Sequence, residues 1–167
     1  MKKYLSYFLI ACTVMAVQSF LGGNISARPI IEVSATSLNS TEDKKFPIPK
    51  LVKVEQISPN QIQISYDRDV DKELGTKATN YWIQDRKNVK PEHIATLGKN
   101  DKVNADNSLT DNLVKISSKD GSAKTFILTF NQDIPKGEKY KLIICYVTVE
   151  GAPPYSGDNG AATFVGK

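Results

Sequence analysis

Apolar and polar residues alternate with a period of two along most of the chain beyond residue 50, most clearly at residues 61–66, 124–130 and 139–144. Such alternation is typical of β-strands with one buried face and one solvated face. Shorter candidate strands lie at residues 51–57, 80–84, 113–117 and 161–165. Turn residues separate these segments, and none has the spacing of an amphipathic helix. The pattern predicts an all-β domain of about seven strands over residues 50–167, and it favours an antiparallel sandwich over a barrel without separating the two.

The amino terminus follows a different pattern. Lysines at positions 2–3 precede an apolar stretch over residues 4–17, and small residues follow it up to Ala27. This order is that of a secretory signal peptide. The stretch is shorter than the roughly 20 apolar residues that a membrane-spanning helix needs. We therefore predict a signal peptide over residues 1–27, cleaved after Ala27 or alternatively after Ser19, and no stable transmembrane anchor.

A lipid anchor is the alternative fate of this segment. Residues 9–12, Leu-Ile-Ala-Cys, resemble a bacterial lipobox, in which the cysteine is lipidated and becomes the new amino terminus. Cys12 lies very early, however, and apolar residues continue after it as far as Leu21, whereas a lipoprotein usually turns polar directly after its cysteine. We expect a secreted or cell-surface protein, with lipidation of Cys12 as the alternative.

Residues 28–49 form the predicted linker between the signal peptide and the sandwich. They are rich in Ser, Thr, Asn and charged side chains. Such a segment buries too little apolar surface to offset the entropy lost on ordering, so we expect it to be flexible. Residues 29–33 are apolar enough to add one short strand.

Charge and cysteine content narrow the class of protein. Removal of the predicted signal peptide leaves 20 basic and 18 acidic residues, a net charge of +2. This small and well-mixed excess argues against a nucleic-acid or anionic-membrane surface. Only Cys145 remains, so an intrachain disulfide is excluded and stability must come from the core. A domain of about 120 residues buries roughly two-thirds of its unfolded surface, which is sufficient.

The residues that usually carry catalysis are few. His93 is the only histidine, and there is no Gly-x-Ser-x-Gly, Cys-x-x-Cys or phosphate-binding glycine loop. We therefore expect no catalytic, cofactor-binding or metal-binding residues, and an exposed loop position for His93. A secreted hydrolase that uses His93 or a pair of carboxylates is the least favoured alternative.

Two acidic segments, residues 67–71 and 104–108, imitate the start of a calcium-binding loop. Their sixth positions are Lys72 and Leu109, where the EF-hand requires glycine, and neither has a glutamate at the twelfth position. We interpret both as solvated turns. Weak calcium binding with another geometry is the minor alternative.

The order of the predicted strands resembles that of a known family. The matching segments are Val-Lys-Val at 52–54, Gln-Ile-Gln-Ile-Ser-Tyr at 61–66 with the acidic loop at 67–71, Ala-Thr-Asn-Tyr-Trp-Ile at 78–83, Phe-Ile-Leu-Thr-Phe-Asn-Gln-Asp-Ile at 126–134 and Gly-Glu-Lys-Tyr-Lys-Leu at 137–142. Together they resemble the bacterial Ig-like domains of S-layer and other surface proteins, the SbsA-type family. The resemblance implies an Ig-like antiparallel β-sandwich. The chain departs from the family in a long polar insertion at residues 99–112 and a longer loop at residues 152–160.

The resemblance also implies that Tyr81 and Ile83 point inward, so that Trp82 points outward. By the same alternation, Ile143 and Cys145 point outward on a strand that neighbours that of Trp82 in an Ig-like sandwich. We therefore predict an exposed patch with Trp82 at its centre as a candidate interaction surface. An exposed Cys145 would also be available for an intermolecular disulfide.

Two alternatives to this patch remain open. A shift of the register by one residue places Trp82 in the core instead, because it reverses every side chain of the strand. Alternatively, residues 30–33 cover the patch.

Tyr155, in the Pro-Pro-Tyr segment at residues 153–155, is a second candidate contact, because an exposed tyrosine suits sugar or protein ligands. A merely rigid connection is the alternative. The expected function is that of an exported, non-catalytic Ig-like module that binds a protein or an envelope polysaccharide. A small structural subunit that self-associates through the Trp82 face is the alternative.

Overall fold

The computed structural model describes residues 45–167. The predicted signal peptide, its cleavage site at Ala27, Cys12 and residues 28–44 of the predicted linker lie outside the described residues. At the end of the predicted linker, Pro49 is buried, and its carbonyl oxygen accepts a 3.0 Å hydrogen bond from the side-chain nitrogen of Asn159.

The described residues form seven strands and one short α-helix. Their bounds are β1 (Leu51–Ser58), β2 (Gln61–Tyr66), α1 (Lys72–Thr76), β3 (Tyr81–Asp85), β4 (Val114–Ser118), β5 (Thr125–Phe130), β6 (Lys139–Cys145) and β7 (Asp158–Val165). Within this part of the chain no helix is long and apolar enough to cross a bilayer.

The strands pair antiparallel in two separate sheets. The four-stranded sheet has the order β1-β2-β5-β4, and the three-stranded sheet has the order β3-β6-β7. This is the strand order of an immunoglobulin constant-type domain. The prediction of an all-β, Ig-like sandwich of about seven strands is confirmed.

Alternating side chains of both sheets fill the core. In the four-stranded sheet, Ile62 and Ile64 of β2 lie opposite Leu128 and Phe126 of β5, and all four are fully buried. The three-stranded sheet contributes the equally buried Tyr81, Ile83, Tyr140, Leu142 and Ile144 to the same cluster. Burial of a large apolar side chain contributes about 1.5–3 kcal/mol, so this cluster is the main source of stability.

A chain of buried hydroxyl groups connects the two sheets through the core. The Tyr66 hydroxyl of β2 lies 2.9 Å from the Tyr81 hydroxyl of β3, which donates to the carbonyl oxygen of Gly75 in α1. Burial raises the pKa of both tyrosines, so both stay neutral at physiological pH. A Cβ atom on Gly75 would lie 2.6 Å from Cζ of Phe126, so α1 packs directly on that ring.

The long connection between β3 and β4 runs beside β3 before it leaves the sheet. The amides of Thr96 and Leu97 donate to the Ile83 carbonyl, the Asp85 amide donates to the Leu97 carbonyl, and Leu97 forms a parallel bridge with Gln84. These bonds satisfy backbone groups of β3 that the sheet leaves unpaired. The connection is thereby held against the three-stranded sheet.

Candidate functional site

Trp82 occupies the middle of β3 and faces away from the sandwich core. Its neighbours Tyr81 and Ile83 belong to the core cluster, whereas Trp82 does not. The side chain is nevertheless fully buried. Its ring meets that of Tyr146 edge-on, with the centroids 5.9 Å apart. The prediction that Trp82 is exposed is therefore wrong. The side chain does face outward, because both of its neighbours lie in the core, but another part of the chain covers the outer face of the sheet at this position.

The cover is formed by the connection between β3 and β4, residues 86–113. The indole Nε1 of Trp82 donates to the carbonyl oxygen of Asn104 at 2.9 Å and to Oδ1 of Asn107 at 3.1 Å. The same two asparagines close a 3₁₀ turn at Ala105–Asn107, because each side chain accepts from the backbone of that turn. The oxygen atoms of Asn104 and Asn107, in the acidic segment at residues 104–108, thus accept hydrogen bonds from the turn and from the indole. Residues 30–33, the cover considered from the sequence, lie outside the described residues.

Gln84 is the second outward side chain of β3, and the sequence analysis missed it. Its Nε2 donates to the carbonyl oxygens of Lys99 and Gly98 at 3.1 and 3.3 Å, and its Oε1 accepts from Nη1 of Arg86 at 3.2 Å. The side chain is buried by these contacts. The signal in the sequence was an amide side chain two positions after Trp82, on the same face, followed by an unusually long insertion. Together, Trp82 and Gln84 hold the connection on the sheet.

The β6 and β7 half of this sheet lacks such a cover from the described residues. Ile143 of β6 lies between Trp82 on one side and Ala161 of β7 on the other, and it is half-buried. On β7, Ala161, Thr163 and Val165 are exposed, with Val165 45% exposed. We call five of the outward residues of these two strands the open strip: Ile143, Cys145, Ala161, Thr163 and Val165. Lys139 and Lys141 of β6 point outward beside Val165 and Thr163.

Cys145 and Tyr155 both lie beside Asp158, at one end of the open strip. Cys145 is paired with Asp158 at the start of β7, and the Tyr155 hydroxyl donates to the carbonyl oxygen of Asp158 at 3.1 Å. Both side chains are half-buried. Burial, together with the carboxylate of Asp158, raises the pKa of the Cys145 thiol. The thiol is therefore largely protonated at neutral pH and a weak nucleophile.

The opposite end of the sheet carries a cluster of positive charge. Two adjoining concavities of about 300 and 390 Å³ share Arg86 and Lys139 in their walls. The larger one is also lined by Lys87, Lys99 and Glu138, and Lys87 pairs with Glu138 at 3.2 Å. We call the two concavities together the basic groove. The sequence analysis missed it, because Arg86 and Lys139 lie far apart along the chain.

In the acidic loop at residues 67–71, the carboxylates of Asp67 and Asp71 accept hydrogen bonds from neighbouring protein groups. The Asp67 carboxylate accepts from the Arg68 guanidinium and from the Lys50 amide, and these bonds lower its pKa to about 2. Asp71 caps α1 by accepting from the amides of Glu73 and Leu74. Within residues 45–167, no three His, Cys, Asp or Glu side chains are grouped to hold a metal ion.

His93 lies on the surface, in a turn where its backbone has a φ of 56°. Within residues 45–167 its imidazole makes no hydrogen bond. The side chains that the structure does bring together, on the open strip and in the basic groove, are suited to non-covalent contacts.

No protein-family model and no curated protein matches this chain. It is similar to three solved structures of the bacterial S-layer protein SbsC, each covering 71% of this chain. The N-terminal part of SbsC is 11% identical with a TM-score of 0.48, domains 1–6 are 14% identical with 0.45, and rSbsC(31-844) is 13% identical with 0.47. The match covers 23%, 14% and 14% of those chains, so this chain spans less than a quarter of their length. At TM-scores below 0.5 these similarities carry no argument about function, and the fold assignment rests on the strand order of the chain itself.

Proposed function

We propose that this chain is an exported, non-catalytic Ig-like module of the cell surface, related to the SbsA-type domains, which binds a protein or a cell-envelope polymer through the open strip. The observation that carries the proposal is the uncovered half of the three-stranded sheet. There, apolar and small side chains point outward beside Lys139 and Lys141 of β6, next to a half that the chain itself covers with residues 86–113.

Three of the five side chains of the open strip are apolar. Ile143, Ala161 and Val165 have no polar atoms, so their burial against a partner removes apolar surface from water without breaking hydrogen bonds. Each 100 Å² of apolar surface so buried contributes roughly 2.5 kcal/mol. A stable interface requires about 800 Å² on each partner, so residues around the strip must also take part.

The open strip lies on a rigid support. Ile143 and Ala161 are paired in the ladder between β6 and β7, and Ile143 is paired on its other side with Trp82. Trp82 is itself held by its two hydrogen bonds to the covering connection. A surface that is already ordered loses little conformational entropy on binding, which favours association.

The non-catalytic part of the proposal is supported by the positions of the two side chains that are best suited to covalent chemistry. His93 lies exposed in its turn, and the Cys145 thiol is largely protonated. Self-association through a patch centred on Trp82, the alternative from the sequence, loses its support because the indole is buried. Export is supported by the signal-peptide pattern of residues 1–27.

The proposal is tested with Ala161→Arg and its matched control Ser117→Arg. Both positions are exposed and point outward on strands at the ends of their sheets, β7 and β4 respectively. Protein produced from the full chain is incubated with envelope fractions of its source cell, and the retained fraction is measured. We expect Ala161→Arg to lower retention about tenfold or more and Ser117→Arg to leave it unchanged. Equal retention of the two variants would show that the open strip is not the binding surface.

The same experiment separates the classes of partner. Protease treatment of the envelope fraction removes retention if the partner is a protein, and periodate oxidation removes it if the partner is a polysaccharide. Size-exclusion chromatography of the wild type at high concentration, with Ala161→Arg as control, tests for a second copy of the chain on the strip.

A further inference from the structure

We infer that the basic groove binds an acidic saccharide, with Arg86 holding a carboxylate of the sugar. The inference rests on the proposed function and deepens it, because it assigns a ligand class to one end of the same sheet. The groove is defined by two adjoining concavities of about 300 and 390 Å³, which lie in the lower part of the range for small-molecule sites.

Arg86 is exposed, and one hydrogen bond orients its guanidinium group before any ligand binds. Its backbone amide donates to the carbonyl oxygen of Lys139 at 3.0 Å, and its Nη1 donates to Oε1 of Gln84. Gln84 is buried and is fixed in turn by the carbonyl oxygens of Gly98 and Lys99. The remaining guanidinium N–H groups make no hydrogen bond within residues 45–167. A guanidinium fork in this situation matches the two oxygens of a carboxylate.

The charge of the groove favours an anion. Arg86, Lys87, Lys99 and Lys139 line it, against the single lining carboxylate of Glu138, which is already paired with Lys87.

Asp85, next to Arg86 at the end of β3, adds a second negative charge. Burial alone would raise its pKa, but hydrogen bonds from the amides of Asn88 and Lys87 outweigh burial and lower it, so Asp85 is ionised. The positive charges still outnumber the negative ones. Among the described residues, Arg86, Lys99 and Lys139 form no ion pair.

The uncharged part of the lining suits the C–H face of a sugar ring. Phe164 is half-buried and packs against Tyr140 with a centroid distance of 5.6 Å, and Thr163 and Val165 line the same concavity. Carboxylate-binding cations, one hydroxyl and an aromatic edge in a shallow groove therefore match a sugar acid.

An acidic peptide is less well accommodated. Peptides commonly bind by adding a strand to free backbone groups or by filling an apolar groove. Next to Arg86 the backbone groups are in use, because Gly166 donates to Glu138, Gly137 donates to Gly166 and Arg86 donates to Lys139. The backbone groups that could pair with an added peptide strand lie on the outer edge of β7, two strands away from β3, at whose end Arg86 stands.

The inference is tested by calorimetric titration of protein produced from the full chain with three probes at low ionic strength. Hexagalacturonate is the acidic saccharide, maltohexaose the uncharged saccharide and hexaglutamate the acidic peptide. We expect hexagalacturonate to bind at least tenfold more tightly than either of the other two. Arg86→Gln should weaken its binding at least tenfold, and the charge-matched control Lys115→Gln, on the outer face of the four-stranded sheet, by less than twofold.

A second variant, Arg86→Lys, keeps the charge and removes the fork, so its binding should fall between that of the wild type and Arg86→Gln. Amide chemical shifts of residues 84–87 and 137–141 should change on titration with hexagalacturonate, and unchanged shifts there would place the ligand elsewhere. No binding of hexagalacturonate, equal weakening by Lys115→Gln, or tighter binding of hexaglutamate would each overturn the inference.

The two proposals fail separately. Loss of envelope retention in Ala161→Arg without any hexagalacturonate binding leaves the proposed function standing and refutes the acidic saccharide. Hexagalacturonate binding that depends on Arg86, with envelope retention unaffected by Ala161→Arg, supports the groove and refutes the open strip.

Discussion

The two sheets share the same alternation of inward and outward side chains, but the outward side chains of the two sheets have different hydrogen-bond partners. On the four-stranded sheet the outward polar groups bond to each other: Gln61 Nε2 donates to the Thr129 hydroxyl at 2.9 Å, and Lys119 Nζ donates to Gln63 Oε1 at 2.7 Å. On the three-stranded sheet the outward Trp82 and Gln84 bond to a different segment of the chain, residues 86–113.

This difference shows that an outward position in a strand is not the same as an exposed one. Ile127 and Trp82 both point outward from the interior of their strands, yet Ile127 is half-buried and Trp82 is fully buried. What separates them is the length and chemistry of a connection, because the long β3–β4 connection returns over its own sheet and accepts hydrogen bonds from Trp82 and Gln84. The open strip exists because that connection covers β3 and stops short of β7.

The largest effect is expected from Trp82→Ala. Removal of a fully buried indole leaves a cavity under residues 86–113 and leaves the carbonyl oxygen of Asn104 without its donor, while Oδ1 of Asn107 still accepts from the Asn104 amide. We therefore expect the free energy of unfolding to fall by about 3–5 kcal/mol. Urea denaturation followed by far-UV circular dichroism measures it. The control Ile127→Ala, on the other outer face, should cost about 1 kcal/mol. Similar losses in the two variants would contradict the contrast between the faces.

An intermediate effect is expected from Gln84→Ala. The variant leaves the Lys99 carbonyl without its donor, while the Gly98 carbonyl still accepts from the Asp101 amide, and we expect a cost of about 1–3 kcal/mol. Hydrogen exchange should accelerate at the amides of residues 98–101 while the core strands stay protected. Gln63→Ala, the counterpart on the four-stranded sheet, should change stability by no more than about 0.5 kcal/mol. Unchanged exchange at residues 98–101 would show that Gln84 does not hold the connection.

The smallest effect concerns acid. The Arg68 guanidinium and the Lys50 amide lower the pKa of Asp67 to about 2, below the value of about 3.9 in an unfolded chain. Because the folded pKa is the lower one, this stabilisation is present above about pH 4 and is lost as the pH falls towards 2. Arg68 and Asp67 are 39% and 28% exposed, so solvent screening limits the effect to about 1 kcal/mol.

Urea denaturation at pH 5 and pH 2 measures this loss, and Asp67→Asn should remove part of the difference. Asp85, at the end of β3, is the counterpart on the three-stranded sheet. Its pKa is lowered despite an opposing contribution from burial. Asp85→Asn should therefore reduce the difference in stability between pH 5 and pH 2 by less than Asp67→Asn does. A pH profile of Asp67→Asn identical to that of the wild type would refute the role of the Asp67 carboxylate.

The strands with clean alternation were predictable from the sequence almost to the residue. Segments 61–66, 124–130 and 139–144 correspond to β2, β5 and β6, because period-two alternation is a local property of a strand with one buried face. The helix α1 was missed, since five residues are too few for a helical period to show. Its one local signal was Asp71, which caps the first turn.

The candidate site was predictable only in part. Alternation indicates which way Ile143 and Trp82 face, because it is set by neighbouring residues. The burial of Trp82 depends on Asn104 and Asn107, which lie more than twenty positions further along the chain. The basic groove joins Arg86 to Lys139 across a still longer separation. A local sequence pattern does not indicate which residues far apart along the chain come into contact.

The sequence by itself therefore determined the class of fold, the strands and the side of the sheet on which each side chain stands. These follow from the period of the backbone and from the hydrophobic effect acting on neighbouring residues. The tertiary structure alone decided which outward side chains meet water. That outcome depends on where a long polar connection finds hydrogen-bond partners, and here Trp82 and Gln84 supply them on one half of one sheet.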